Sequence, residues 1–126
     1  MLRRIAAFSI MLLLIGAICP APVRATSTQT EVEMGRQEDE EIVDTSVVET
    51  DPLLNAYVQK IASNDWKQVE RKDVPYNIKV IKDTEVNSFA TLGGYIYIDE
   101  GLIDFVQSDD EFAGVIGHET GHIERR

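Results

Sequence analysis

Cysteine, histidine and positive charge are all scarce in this chain of 126 residues. The single cysteine, Cys19, excludes a disulfide framework. Only 12 lysines and arginines face 22 aspartates and glutamates, giving a net charge of −10. Such a chain lacks the cations that grip nucleic-acid phosphates, and anionic lipid headgroups repel it. Glycine (8) and proline (4) are too few for a low-complexity chain. With 44% hydrophobic and 27% charged residues, the composition fits one small globular domain, and the length leaves no room for two. These features argue against a nucleic-acid binder, a disulfide scaffold and a polytopic membrane protein.

Long hydrophobic runs are absent after the first 25 residues. Arg3 and Arg4 give a positive start, and Ile5 to Ile18 then run without charge. Val23 and Ala25 stand at the −3 and −1 places of a cleavage site. That is the layout of a secretory signal peptide over residues 1–25. The run is shorter than the roughly 20 apolar residues of a spanning helix, so an uncleaved anchor is the weaker alternative. Ile18 before Cys19 is bulkier than a lipidation site favours. Cleavage after Ala25 removes three arginines and the thiol, leaving nine cations against 22 acids. The mature chain is expected in the periplasm or secreted, with no stable membrane insertion and no nucleic-acid partner.

From Glu31 to Glu49 acids dominate, and one or two loosely amphipathic helical turns with a solvated charged face are expected. Asp51-Pro52 is a clearer start signal, an N-cap acid before proline in the first helical position. Leu54, Tyr57, Val58 and Ile61 follow at helical spacing, predicting a helix from Asp51 to about Ser63. Asp73-Val74-Pro75 breaks the chain. Tyr76, Ile78 and Val80 then alternate with polar residues as in a half-buried strand. A second run, Val86 to Thr91, reaches Gly93-Gly94 and continues as Tyr95-Ile96-Tyr97-Ile98, a hairpin or bulge signal. Leu102 to Val106 suggests a short helix. Ser108-Asp109-Asp110-Glu111 is a capping box opening a further helix. The predicted fold is α+β, with helices around a small, mostly antiparallel sheet.

That last helix contains His118-Glu119-Thr120-Gly121-His122, which holds the only two histidines in the chain. Residues at i and i+4 share a helix face, so both imidazoles can reach one ion at about 2.0–2.1 Å. Glu119 is turned roughly 100° from His118, too far round for an obvious ligand but well placed beside the ion. A zinc ion lowers the pKa of water to roughly 7, and a carboxylate can take the proton as that water attacks a carbonyl. This is the H-E-x-x-H arrangement of metalloproteases. Phe112, Ile116 and Ile123 form an apolar stripe beside the histidines. Gly114, Gly117 and Gly121 gather opposite, suggesting close approach of another backbone. The uncharged run from Phe112 to Gly117 suggests a helix buried on most sides.

Four stretches carry a family resemblance: Met34-Gly35-Arg36; Asp51-Pro52 with Tyr57-Val58; Asn87-Ser88-Phe89-Ala90 leading to Gly93-Gly94-Tyr95-Ile96-Tyr97; and Asp110-Glu111 before His118 to His122. In this order they resemble the zinc metallopeptidases of the Ste24/HtpX/Oma type, metallopeptidase family forty-eight, in its secreted periplasmic branch. The resemblance implies that His118 and His122 bind Zn2+ and that Glu119 is the general base. It further implies a strand after Gly93-Gly94 beside the metal helix, where Gly93, Gly94, Tyr95 and Tyr97 bind an extended substrate. The substrates it implies are unfolded or misassembled polypeptides.

The resemblance also implies a third zinc ligand, a glutamate on a later helix. Glu124 lies about 140° from the mean direction of the two histidines and cannot serve. Residues 26–126 are therefore expected to be the N-terminal part of a metallopeptidase domain, incomplete at the C-terminus. The expected activity is peptide-bond hydrolysis by zinc-activated water. The alternative is a non-catalytic binding or chaperone module, or an inactive fragment lacking the third ligand.

Overall fold

A computed structural model describes residues 26–126; the expected signal peptide lies outside the described residues. In chain order the elements are α1 (Thr28–Thr45), α2 (Pro52–Asp65), β1 (Asn77–Ile81), β2 (Ser88–Ala90), β3 (Tyr95–Asp99), α3 (Glu100–Phe105) and α4 (Asp109–Glu124). The architecture is α+β. Its sheet has the order β1-β3-β2. β3 runs parallel to β1, from Asn77 opposite Tyr95 to Ile81 opposite Asp99, and antiparallel to β2. The sheet is thus mixed, not mostly antiparallel. The connection from β1 to β2 leaves a slot between them, and the Gly93-Gly94 turn sends β3 back into it.

Local sequence signals explain most boundaries. Asp51 caps α2, its Oδ1 accepting from the backbone of Leu53 at 2.8 Å, with Pro52 in the first turn. Ser108 caps α4, accepting from Glu111 N at 3.1 Å. The Glu111 carboxylate accepts from Gln107 N at 2.8 Å, one residue earlier than a strict capping box would place it. Gly93 and Gly94 carry φ of 75° and 90°, a left-handed backbone that glycine adopts without steric cost.

The strands divide two layers. Ile96 and Ile98 are fully buried and face α2 and α4, where Val58, Ala62, Phe112, Ile116 and Ile123 complete the core. Tyr97 points to the opposite face, beneath α1. The acid-rich run was expected to yield one or two solvated turns, but it forms an 18-residue helix across the sheet. Polar contacts hold it there. Asp39 accepts from Lys79 Nζ and from Tyr97 Oη, while the buried Glu31 pairs with Arg71 at 2.8 Å. Gly35 lies against the Leu92–Gly94 turn, where a Cβ would fall 2.0 Å from the Leu92 carbonyl oxygen. The apolar residues Met34 and Val43 of α1 remain exposed, so hydrophobic spacing could not reveal this packing.

Candidate active site

Burial of one stripe of α4 decides where its histidines point. Phe112, Ile116 and Ile123 are fully buried. Tyr57 stacks on Phe112 with ring centroids 5.8 Å apart and donates to Asp109 at 2.8 Å. On the far side, buried Thr120 donates to the Ile116 carbonyl at 2.8 Å and accepts from Trp66 Nε1 at 3.2 Å. These contacts fix the rotation of the helix about its axis and leave His118 and His122 exposed.

The two imidazoles converge. Their Nε2 atoms are 3.2 Å apart, with ring planes perpendicular. Two nitrogens bound to one zinc ion at about 2.0–2.1 Å, at that separation, subtend about 100° at the metal, close to tetrahedral. The donor pair therefore fits a zinc ion. Among the described residues, no third histidine, cysteine, aspartate or glutamate completes a metal-binding group. Glu124 does not face the pair. Its carboxylate accepts from Glu70 N at 2.8 Å, Arg71 N at 3.1 Å and Tyr76 Oη. Burial pushes its pKa up, but these donors outweigh burial and hold it below the usual carboxylate range.

Glu119 is 6% exposed, and its Oε1 accepts from Ser88 Oγ at 2.7 Å. A cleft of about 440 Å³ lies here between β2 and α4, lined by Ser88, Ala90, His118, Glu119, His122 and Arg126. Ser88 thus touches the acid of the motif, a role that sequence reasoning missed. Alternation does place Val86, Ser88 and Ala90 on one side of their strand, but nothing in the sequence says that this side meets Glu119.

Gly93, Gly94, Tyr95 and Tyr97, expected to bind substrate, lie elsewhere. Gly93 and Gly94 are buried, with Gly93 against Val32 of α1 and Gly94 against Pro75. Tyr97 is fully buried, stacks on Phe89 at 4.8 Å and donates to Asp39 at 2.7 Å. Burial and that carboxylate push its phenol far above the ordinary tyrosine range. Tyr95 is half-buried with Lys79 Nζ 5.4 Å from its ring centre. β3 is flanked by strands on both edges, so it offers no main-chain groups to a substrate. Backbone bonds from Asp99 N to the Asn87 carbonyl and from Thr91 N to the Tyr95 carbonyl set the hairpin pairing. By antiparallel alternation, the peptide groups of Ser88 and Ala90 point away from β3.

The glycines of α4 also differ from expectation. Among the described residues no backbone closes on them: nothing lies within 4 Å of a Cβ built on Gly114, and the nearest atom to Gly117 is Asp65 Oδ2 at 3.7 Å. That face is open, and α4 is not buried on most sides.

A model described as Peptidase family M48 matches residues 52–126. The chain is 24% identical over 96 residues to the beta-barrel assembly-enhancing protease of Escherichia coli K12, covering 76% of this chain and 20% of the relative. It is 30% identical over 101 residues to the mitochondrial metalloendopeptidase OMA1 of Arabidopsis thaliana, covering 76% and 21%. It is 41% identical over 49 residues to the metalloprotease YcaL of Escherichia coli, covering 39% and 19%. The chain spans about one fifth of the length of these relatives.

Proposed function

The chain belongs to peptidase family M48, and from that premise we propose that it serves a secreted or periplasmic zinc metalloendopeptidase. Its substrates are unfolded or misassembled polypeptides. The observation that carries this reading is the 3.2 Å convergence of the His118 and His122 Nε2 atoms, with Glu119 alongside. His118 and His122 would hold the zinc ion. When bound, the ion supplies Lewis acidity, lowering the pKa of water to roughly 7 and polarising a carbonyl.

The other steps belong to the chain itself. Glu119 accepts a proton from the attacking water and delivers it to the departing amine. Ser88 holds that carboxylate toward the cleft. The outward peptide groups of Ser88 and Ala90 pair with an extended substrate, as an added strand would. This main-chain recognition, assigned here to β2 in place of β3, tolerates many sequences. The positive start and 14-residue apolar run of residues 1–25 support export. The name of the Escherichia coli relative, a protease that enhances β-barrel assembly, supports protein substrates. A catalytic zinc site uses three protein ligands and an open position, and the described residues provide two. That count favours a second reading, in which this chain by itself binds polypeptides without cutting them.

Metal analysis with casein hydrolysis tests the proposal. The protein should release peptides only when zinc is present, and Glu119→Gln should abolish release while keeping the metal. Equal cleavage by both forms would refute Glu119 as the base.

A further inference from the structure

A cavity of about 450 Å³ adjoins the cleft at the histidines through Arg126, the one residue that lines both. Its volume falls within the range of about 300–1,000 Å³ that ligand sites occupy. Glu31 and Met34 of α1, Arg71, and Leu92 of the turn before β3 form its other walls. Glu31 and Arg71 neutralise each other, since both carboxylate oxygens of Glu31 accept from the guanidinium, at 3.3 and 2.8 Å. Arg126 is therefore the uncompensated charge of the cavity. Among the described residues no carboxylate pairs with it. Its one polar contact there is a long one, from Nη2 to the Ala90 carbonyl at 3.5 Å. From this arrangement we infer that the cavity is an anion subsite, in which Arg126 takes a carboxylate of a bound polypeptide, from an acidic side chain or a free chain end.

The inference rests on the proposed pairing of an extended polypeptide with β2 and adds a charge preference to it. The Ala90 carbonyl is among the main-chain groups that such a polypeptide takes. Once it is taken, Arg126 gives up its contact there and is free to turn to another acceptor. A polypeptide that continues past Ala90 comes next to Leu92, a wall of the cavity. The planar fork of a guanidinium matches a carboxylate with two parallel hydrogen bonds. Met34 and Leu92 offer apolar surface to the carbon atoms that carry the acid. The protein as a whole is acidic, but charges beyond about 8–10 Å are screened at physiological salt. The nearer acids are engaged, Glu31 by Arg71 and Glu119 by Ser88.

Three dansyl-labelled nonapeptides of glycine, serine and threonine test this. The first ends in an amide and has no acid, the second ends in a free carboxylate, and the third ends in an amide next to a glutamate. Fluorescence anisotropy is read on the full chain in chelator, so that no metal captures the carboxylate, and peptide cleavage is read on the zinc-loaded protein. At least one acid-bearing peptide should bind about tenfold more tightly than the first, the scale of one hydrogen bond to a charged group. Which of the two does so tells a chain end from a side chain. Arg126→Gln should erase that ratio. Lys60→Gln, an exposed lysine outside both clefts, makes the same change in net charge and should keep it. Carboxylate-dependent binding without cleavage supports the subsite and overturns the peptidase reading for this chain. Cleavage with no carboxylate preference, no measurable binding of any peptide, a ratio untouched by Arg126→Gln, or one lost equally in Lys60→Gln overturns the subsite.

Discussion

The Ser88 hydroxyl donates to Glu119 Oε1 across 2.7 Å, joining the edge strand β2 to α4 beside its two histidines. Glu119 is buried, and Ser88 is the side chain seen to hold it.

Ser88→Ala removes that donor without touching either imidazole. The expected result is a fall in kcat of about tenfold, the equivalent of 1.4 kcal/mol, at unchanged KM and unchanged zinc content. Ser88→Thr should restore most of the rate. Steady-state hydrolysis of a fluorogenic peptide measures both. A loss in KM alone would show that Ser88 acts on substrate and not on Glu119.

Zinc binding should depend on each imidazole separately. His118→Ala and His122→Ala should each weaken binding by at least about tenfold, read by equilibrium dialysis with elemental analysis. With two described ligands, zinc binding is expected to be weak, and the protein dialysed against chelator should hydrolyse casein little or not at all.

The carboxylate of Asp39 serves two donors, Lys79 and the buried Tyr97 hydroxyl. Asp39→Ala orphans both and should cost about 2–3 kcal/mol. Tyr97→Phe removes the hydroxyl and leaves the ion pair, and should cost about 1 kcal/mol. Chemical denaturation followed by circular dichroism separates the two. Equal losses would mean that Lys79 contributes nothing to the contact.

Glu124 makes stability depend on pH. Its folded pKa is depressed, so its contribution is present above the unfolded value of about 4.3 and disappears as pH falls through the folded one. The native chain should melt well above Glu124→Gln at pH 7, and the gap should narrow steadily below about pH 4.3. A gap that stays constant with pH would place the effect in packing instead of charge.

Much of this fold is legible in the sequence where one residue acts on its neighbours. Asp51-Pro52, Ser108 and Gly93-Gly94 each specify a local backbone state, and each stands at the boundary expected of it. The imidazole pair is legible for the same reason, since four residues of helix fix its geometry. α1 is not, because Glu31, Gly35 and Asp39 are buried or engaged by partners such as Arg71, Leu92 and Tyr97, far along the chain. Alternation likewise marks Tyr95 to Ile98 as a strand but cannot tell a central strand from an edge. Alternation therefore does not reveal that Ser88 faces the cleft while Tyr97 lies on the opposite side of the sheet. The α4 glycines follow the same limit, since a bare helix face and a tightly packed one are written with the same residue.

Arg71 donates both to Glu31 in α1 and to the Ile123 carbonyl beside His122. One guanidinium therefore buttons the helix on the far side of the sheet to the last turn of α4. Loss of that single side chain would slacken both at once, the acidic helix and the turn that carries the second imidazole.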